Sequence, residues 1–261
     1  MDGSLRGQKQ VEIIIADGGS TDGKTLKYYD ILRRNGAAKV FCGKGMPMPA
    51  LLNAAAKEAD RENCLFMDSN VEALGISWLY DMLSQSERRG CGGVGPKLIG
   101  QDGRLVYTGI TIGIGGWQGS PYAGTPDDRE SGQKLRFTGT LRTVSALSWV
   151  CMMTPMDLFF NAGCFDESFN ETGFDTEYCT RLDRRGYSLI YAPNVVMKYH
   201  GRIQKVADAD GQDRMRYYDT VRDTLIKGDP RYNNNFDYAL PSPRIAVRPR
   251  PAAELNELYR K

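Results

Sequence analysis

Asp68, Asn70 and Glu72 stand at alternate positions directly after the apolar run Cys64-Leu65-Phe66-Met67. Two carboxylates and an amide oxygen at that spacing suit a hard divalent cation, Mn²⁺ or Mg²⁺. The same residue types also cap helices, so a cap after a strand is the plainer alternative. A second cluster, Asp17-Gly18-Gly19-Ser20-Thr21-Asp22-Gly23, follows Val11-Glu12-Ile13-Ile14-Ile15-Ala16. Its glycines let backbone approach a ligand closely, and Ser20, Thr21 and Asp22 can cap a helix. A bare strand-to-helix turn would look the same. The only histidine is His200.

Both clusters need strands to deliver them. A short uninterrupted apolar run reads as a strand buried on both faces, and its carboxyl end opens into the crevice where α/β proteins bind ligands. Residues 11–16, 38–41 and 64–67 read as such strands. Helices are expected over 24–34, 49–59 and 76–86, the first stopped by Asn35-Gly36 and the last with Ile76, Leu79 and Leu83 at the spacing of one helical face. Strand and helix alternate three times, which argues for a doubly wound, mostly parallel sheet. The second half changes character. Residues 94–99 and 105–114 read as a hairpin about Gln101-Asp102-Gly103-Arg104, and 117–139 as a long loop, either a functional lid or disordered. Residues 143–153 read as one strand, 155–162 and 174–185 as helices, 188–192 and 195–199 as two short strands, and 213–227 as a last helix. Residues 1–236 are expected to form one domain of two halves, over about 1–92 and 93–236. Residues 237–261 read as a Pro- and Arg-rich arm with a closing helix.

Bulk composition narrows the classes. The 261 residues are 41% hydrophobic and 25% charged, with net charge +2. That is ordinary for a soluble globular chain. The charge argues neither for nor against nucleic acid, and no nucleic-acid partner is expected. No apolar run approaches the roughly 20 residues that span a bilayer. The opening Met1 to Gln10 is polar, unlike a secretory signal. The six cysteines are scattered without a Cys-x-x-Cys and read as reduced thiols. A cytoplasmic place follows as the expectation, peripheral at the inner membrane face.

An ordered set of motifs then resembles the family 2 glycosyltransferases of GT-A fold, and within them the rhamnosyltransferase-like enzymes of bacterial O-antigen and other surface polysaccharides. The motifs are Ala16-Asp17-Gly18-Gly19-Ser20-Thr21-Asp22, Asn53, Leu65-Phe66-Met67-Asp68-Ser69-Asn70, Val94-Gly95-Pro96-Lys97-Leu98 and Asp102-Gly103-Arg104. They continue with Gly163-Cys164-Phe165-Asp166-Glu167-Ser168-Phe169, Phe174-Asp175-Thr176-Glu177-Tyr178-Cys179-Thr180-Arg181-Leu182, Gly186-Tyr187, Pro193, His200 and Asp229-Pro230-Arg231-Tyr232. Singly each is weak, whereas their order is specific.

The resemblance implies an inverting transfer of sugar from a UDP-, GDP- or dTDP-sugar to a glycan or lipid-linked glycan. It implies that about 1–92 is a nucleotide-binding half and 93–236 an acceptor-binding half, and that Asp17, Gly18, Lys44, Asn53 and Asp68 line the nucleotide. Asp68, Asn70 and His200 would hold the divalent cation, Asp175 would be the catalytic base, and Glu177, Trp117 and Trp149 would face the acceptor. Such chemistry needs a cation against the charge of the departing diphosphate and a carboxylate for the hydroxyl proton. Asp175 is expected to be held ionised by the start of its helix. The plainer readings are a structural histidine at 200, an N-cap at Asp175, a solvated Lys44 and tryptophans that pack in the core.

Two departures accompany the resemblance. The family begins with a further strand and helix, where here ten polar residues precede Val11. The expected consequence is an exposed sheet edge, covered by residues 1–10, by the Pro-rich tail, or by a second copy or partner. Asn70 replaces an aspartate, which lowers the charge available to a cation. These features support an alternative, a catalytically weak or inactive GT-A domain acting as a binding or assembly partner. A nucleotide-sugar pyrophosphorylase or dinucleotide oxidoreductase ranks last. Neither Gly43-Lys44-Gly45 nor Gly113-Ile114-Gly115-Gly116 lies properly between a strand and a helix to bind phosphate.

Overall fold

A computed structural model describes residues 11–127, 137–233 and 235–246. Its elements run β1 (Ile14–Asp17), α1 (Gly23–Arg34), β2 (Lys39–Cys42), α2 (Met48–Ala56), β3 (Asn63–Met67), β4 (Val71–Ala73) and α3 (Trp78–Ser86). They continue with β5 (Cys91–Ile99), β6 (Leu105–Tyr107), β7 (Thr111–Ile112), β8 (Gln118–Gly119), β9 (Arg142–Val144) and β10 (Cys151–Pro155). The last are α4 (Met156–Asn161), α5 (Phe174–Arg184), β11 (Ser188–Tyr199) and α6 (Gly211–Lys227). The closing helix expected beyond residue 251 and the segment 1–10 lie outside the described residues.

The helix-flanked sheet of an α/β protein is present. Its main sheet has the order β3-β10-β5-β11-β4, with β6 on β5 and β9 on β11. The parallel pairs are β1 with β2 and β5 with β11. The remaining pairings are antiparallel. β5 is the middle strand, buried along nearly its whole length, as a near-continuous apolar and glycine run demands. An aromatic cluster covers one face of this sheet. Phe66 lies 4.8 Å from Phe165 and 5.1 Å from Phe159, and Phe165 lies 5.3 Å from Tyr178, ring centre to ring centre. Fully burying such a ring contributes roughly 1.5–3 kcal/mol.

β1 and β2 form a separate two-stranded sheet. Among the described residues β1 pairs only with β2, and β3 only with β10, so each apolar strand keeps an unpaired edge. Val11 and Ile13, beside β1, are 49% and 54% exposed.

Four expectations about elements change. Residues 105–114 are two strands, β6 paired with β5 and β7 paired with β8, so only the first part closes the expected hairpin. Residues 143–153 are two strands, β9 and β10, parted by a buried turn around Ser145 and Ser148. Residues 188–199 are one strand, β11. Pro193 does not break it, because the pairing with β5 skips from Ala192 to Val196 as an irregularity around the proline. Ile76 does not share a helical face with Leu79 and Leu83: it precedes α3 and is fully exposed, since the helix starts two residues later. All six cysteines are free.

Candidate active site

At the tip of β1, Asp17 folds its own loop. Its carboxylate accepts from the Ser20 amide at 3.0 Å and from the Ser20 hydroxyl. The Ser20 hydroxyl bond, more than the opposing burial, holds Asp17 below the usual carboxylate range. Asp22 then caps α1 through the Thr25 amide at 2.9 Å. β2 ends alongside, with the Gly43 amide on the Asp17 carbonyl at 2.9 Å. Lys44 packs against Gly19, whose φ of 116° and missing Cβ admit it: a Cβ there would lie 2.9 Å from Lys44 Cγ. Asp17, exposed Gly18 and exposed Lys44 therefore share one loop cluster.

At the end of β3, the Asp68 amide donates to the Val150 carbonyl at 2.9 Å. Asp68 Oδ1 accepts from the Asn70 amide at 2.7 Å and from Asn70 Nδ2 at 2.8 Å. The His200 amide donates to the Asn70 carbonyl at 2.9 Å. Asp68 and Asn70 thus meet His200, which is far along the chain, at one end of the main sheet. The imidazole is already engaged. Nε2 lies 2.8 Å from Glu72 Oε2 and Nδ1 lies 2.9 Å from Gln101 Nε2. With the Gln101 amide in this orientation its nitrogen can only donate, so Nδ1 accepts and Nε2 carries the proton toward Glu72. Among the described residues no three His, Cys, Asp or Glu side chains are grouped to hold an ion. Of the two carboxylates there Glu72 is turned to the His200 ring, which leaves the oxygens of Asp68 and Asn70 as the donors that fit a hard cation.

At the start of α5, Asp175 is 6% exposed. Gly173 leads in with φ 93°, and a Cβ there would press on Phe169 and Tyr217 at 3.2 Å. Asp175 Oδ2 accepts from the Trp149 amide at 3.2 Å and Oδ1 from the Thr176 amide at 2.8 Å. Burial outweighs these donors and pushes its carboxyl up to about 6. The helix start does not keep it strongly ionised, as the sequence alone suggested; desolvation wins. The carboxylate also accepts from the Ser148 hydroxyl, so the turn before β10 and the start of α5 hold it together. Because Val150 also holds Asp68, residues 149–150 physically join the two acidic positions.

Other candidates sit elsewhere. Glu177 is two helical positions from Asp175 and so projects from another face. It pairs with Arg181, Oε1 to Nε 2.7 Å, and Arg181 in turn donates to the Ala162 and Cys164 carbonyls. Asn53, 2% exposed, clasps the loop after α4: Nδ2 donates to the Phe165 carbonyl at 2.8 Å and Oδ1 accepts from the Phe165 amide at 3.0 Å. Asn53 and Glu177 line a shared open groove of about 510 Å³ with Lys57 and Glu167. Trp117 meets Tyr217 edge-on at 6.0 Å, and Trp149 stacks on Phe174 at 6.1 Å, so both pack inward while remaining half-buried. Sequence reasoning missed Ser148, Gln118, Gln101 and Thr176. Thr176 Oγ1 donates to Gln118 Oε1 at 2.6 Å. Only Thr176 had a signal, its place beside Asp175.

This architecture is that of the GT-A glycosyltransferases. The chain is similar to GalNAc-T7 solved with UDP, GalNAc and Mn²⁺ (TM-score 0.60, 15% identity, 81% of this chain and 41% of that one). It is similar to mannosyltransferase PcManGT of Pyrobaculum calidifontis with GDP-Man and Mn²⁺ (0.53, 14% identity, 86% and 57%). It is also similar to S. aureus TarS 1–349 with UDP (0.51, 16% identity, 85% and 58%). No family model matches the chain. Among curated proteins it resembles the O-antigen biosynthesis protein RfbC of Myxococcus xanthus, 32% identical over 187 residues. It also resembles the uncharacterized protein y4gI of Sinorhizobium fredii, 27% identical over 253 residues. These matches take in 71% and 90% of this chain but only 15% and 27% of the two relatives. The resemblance read from the motifs is thus met by both kinds of relative. No helix among the described residues is long and apolar enough to cross a membrane.

Proposed function

We propose that this chain is a glycosyltransferase domain that moves a sugar, with inversion, from a nucleoside-diphosphate sugar to a glycan or lipid-linked glycan of a surface polysaccharide. The observation that carries it is Asp175, a buried carboxylate with its pKa near 6, tied through residues 149–150 to Asp68 at the end of β3. A base is most effective when its pKa lies near the working pH, and burial has moved Asp175 in that direction. In the reaction the acceptor hydroxyl oxygen forms a bond to the anomeric carbon. Its proton passes to Asp175, and the bond to the diphosphate breaks with its electron pair on the leaving group. Asp17 and Lys44 would lie against the nucleotide. Asp68 would hold a divalent cation, with Asn70 and His200 beside it; when bound, the ion would neutralise the diphosphate. The nucleotide-sugar and Mn²⁺ complexes of the structural neighbours, and the O-antigen role of the curated relative, support the reading.

A donor panel tests it: UDP-, GDP- and dTDP-sugars with Mn²⁺ and polysaccharide acceptors, followed by nucleoside diphosphate release and product anomer. One observation favours a second reading, a nucleotide-binding but weakly catalytic domain. The Asn70 amide stands where a charge would help a cation and instead donates to Asp68. Binding of a nucleoside diphosphate without any transfer would select that reading.

A further inference from the structure

Asp229 follows α6 and is completely buried. One oxygen, Oδ2, accepts from the Ile112 amide at 2.7 Å. The other, Oδ1, accepts from the Ser145 hydroxyl and from the Arg231 amide at 2.8 Å. Burial raises its carboxyl above the ordinary range, opposed by these donors. Ile112 and Ser145 belong to separate segments, and both segments lead to Asp175. Ile112 pairs with Gln118 across β7 and β8, and Gln118 accepts the Thr176 hydroxyl. The same hairpin carries Trp117, whose carbonyl accepts from the Gly113 amide at 2.8 Å and from the Tyr217 hydroxyl at 2.9 Å. Ser145 opens the turn that ends in Ser148 and Trp149, both donors to Asp175. The chain after Asp229 reinforces the first segment. Tyr238 packs on Gly113, where a Cβ would lie 2.9 Å from its ring, and the Gly115 amide donates to the Tyr238 carbonyl at 2.8 Å.

We propose that Asp229 is a positioning residue for the acceptor side of the site. It fixes the hairpin 111–119 and the turn 145–150 against each other, and so sets the walls on either side of Asp175. A carboxylate suits the task because both of its oxygens only accept, whereas an amide would turn a donor toward one of three donors. No part of Asp229 touches the proposed nucleotide cluster at Asp17 and Lys44. The proposal rests on the glycosyltransferase reading for its consequence in catalysis, though not for the mechanical coupling itself.

The test uses the full chain as wild type, Asp229→Asn, Ser145→Ala and Ser145→Thr. Ser145→Ala is included because Asp229→Asn in a sealed core can fail to fold. Amide hydrogen exchange is followed over 112–118 and 147–150. In Ser145→Ala both segments are expected to open together, by about tenfold, with recovery in Ser145→Thr. Binding of UDP, GDP or dTDP with Mn²⁺ should stay within about twofold, while the acceptor KM rises about tenfold. Exchange that rises at only one segment, or uniformly over the molecule, overturns the proposal. So does a loss of nucleotide affinity that equals the loss in acceptor KM. A wild type that neither binds nor transfers overturns the glycosyltransferase reading instead, and the exchange result then decides the coupling alone.

Discussion

His200 Nε2 lies 2.8 Å from Glu72 Oε2, with Gln101 on the opposite ring nitrogen. This arrangement leaves Nδ1 as the ring atom with a lone pair and Glu72 as the carboxylate that orients it. Such carboxylate–histidine pairs tune metal ligands, and losing one costs about 10–100-fold in affinity. Glu72→Gln is therefore expected to weaken Mn²⁺ binding, measured by calorimetry with nucleoside diphosphate present, by about tenfold. The pair is solvent-exposed, so the melting temperature should barely move. Gln101→Ala, which only uncovers Nδ1, should not weaken binding. Equal affinity in wild type and Glu72→Gln would show that His200 is structural.

Asn70→Asp is expected to act in opposite directions with and without metal. Without it, the variant loses the donation to Asp68 Oδ1 and gains a second carboxylate beside the first. With Mn²⁺ that charge becomes an asset, so affinity should rise by about 1 kcal/mol or more. Thermal shift with and without Mn²⁺ reads both signs. Unchanged metal response in the variant would mean that Asp68-Ser69-Asn70 is a turn and nothing else.

Asp175→Asn separates chemistry from packing. Transfer should fall by about 10²-fold or more, with nucleotide binding retained. The wild-type rate should rise as pH rises through about 6, because the base must be unprotonated, and the variant should lack that rise. Stability carries its own sign. The folded carboxyl binds its proton more tightly than the unfolded one, so ionising it costs folding free energy as pH rises from about 4 to about 6. A displacement from 3.8 to about 6 corresponds to about 3 kcal/mol. The stability of the variant relative to wild type should therefore improve by up to that amount between pH 4 and pH 7, measured by denaturant unfolding. A flat difference would show that Asp175 is ionised throughout this range.

Asn53→Ala should behave as a folding defect. It strips partners from the amide and the carbonyl of Phe165, each costing about 1–3 kcal/mol when buried and unpaired. A loss of roughly 2–4 kcal/mol is expected, with nucleotide affinity preserved in the folded fraction. Weakened nucleotide binding at full stability would return Asn53 to the nucleotide.

Much of the molecule was readable because it is locally encoded. The apolar run into Asp68, the Asp22 cap of α1, the Asn35-Gly36 stop and the hairpin of β5 and β6 depend on residues within a few positions of one another. The continuity of β11 past Pro193 was not readable, because β5 is what holds the strand on both sides of the proline. The same holds for the break between β9 and β10, which pair with different strands. Glu177 could have been separated from Asp175 by helical spacing alone.

The sequence by itself determined which oxygen-bearing side chains exist and that strand ends and a helix start would present Asp17, Asp68 and Asp175. These follow from periodicity and capping, which act over one or two turns of chain. Tertiary structure alone decided their chemical state. It buried Asp175 until its carboxyl moved to about 6, spent Asn53 on the Phe165 backbone and turned Glu177 to Arg181. It also closed Asp229 on Ile112, 117 positions away along the chain. The reason is physical: desolvation and partner choice depend on which distant segments fold against a side chain, and no local pattern contains that information.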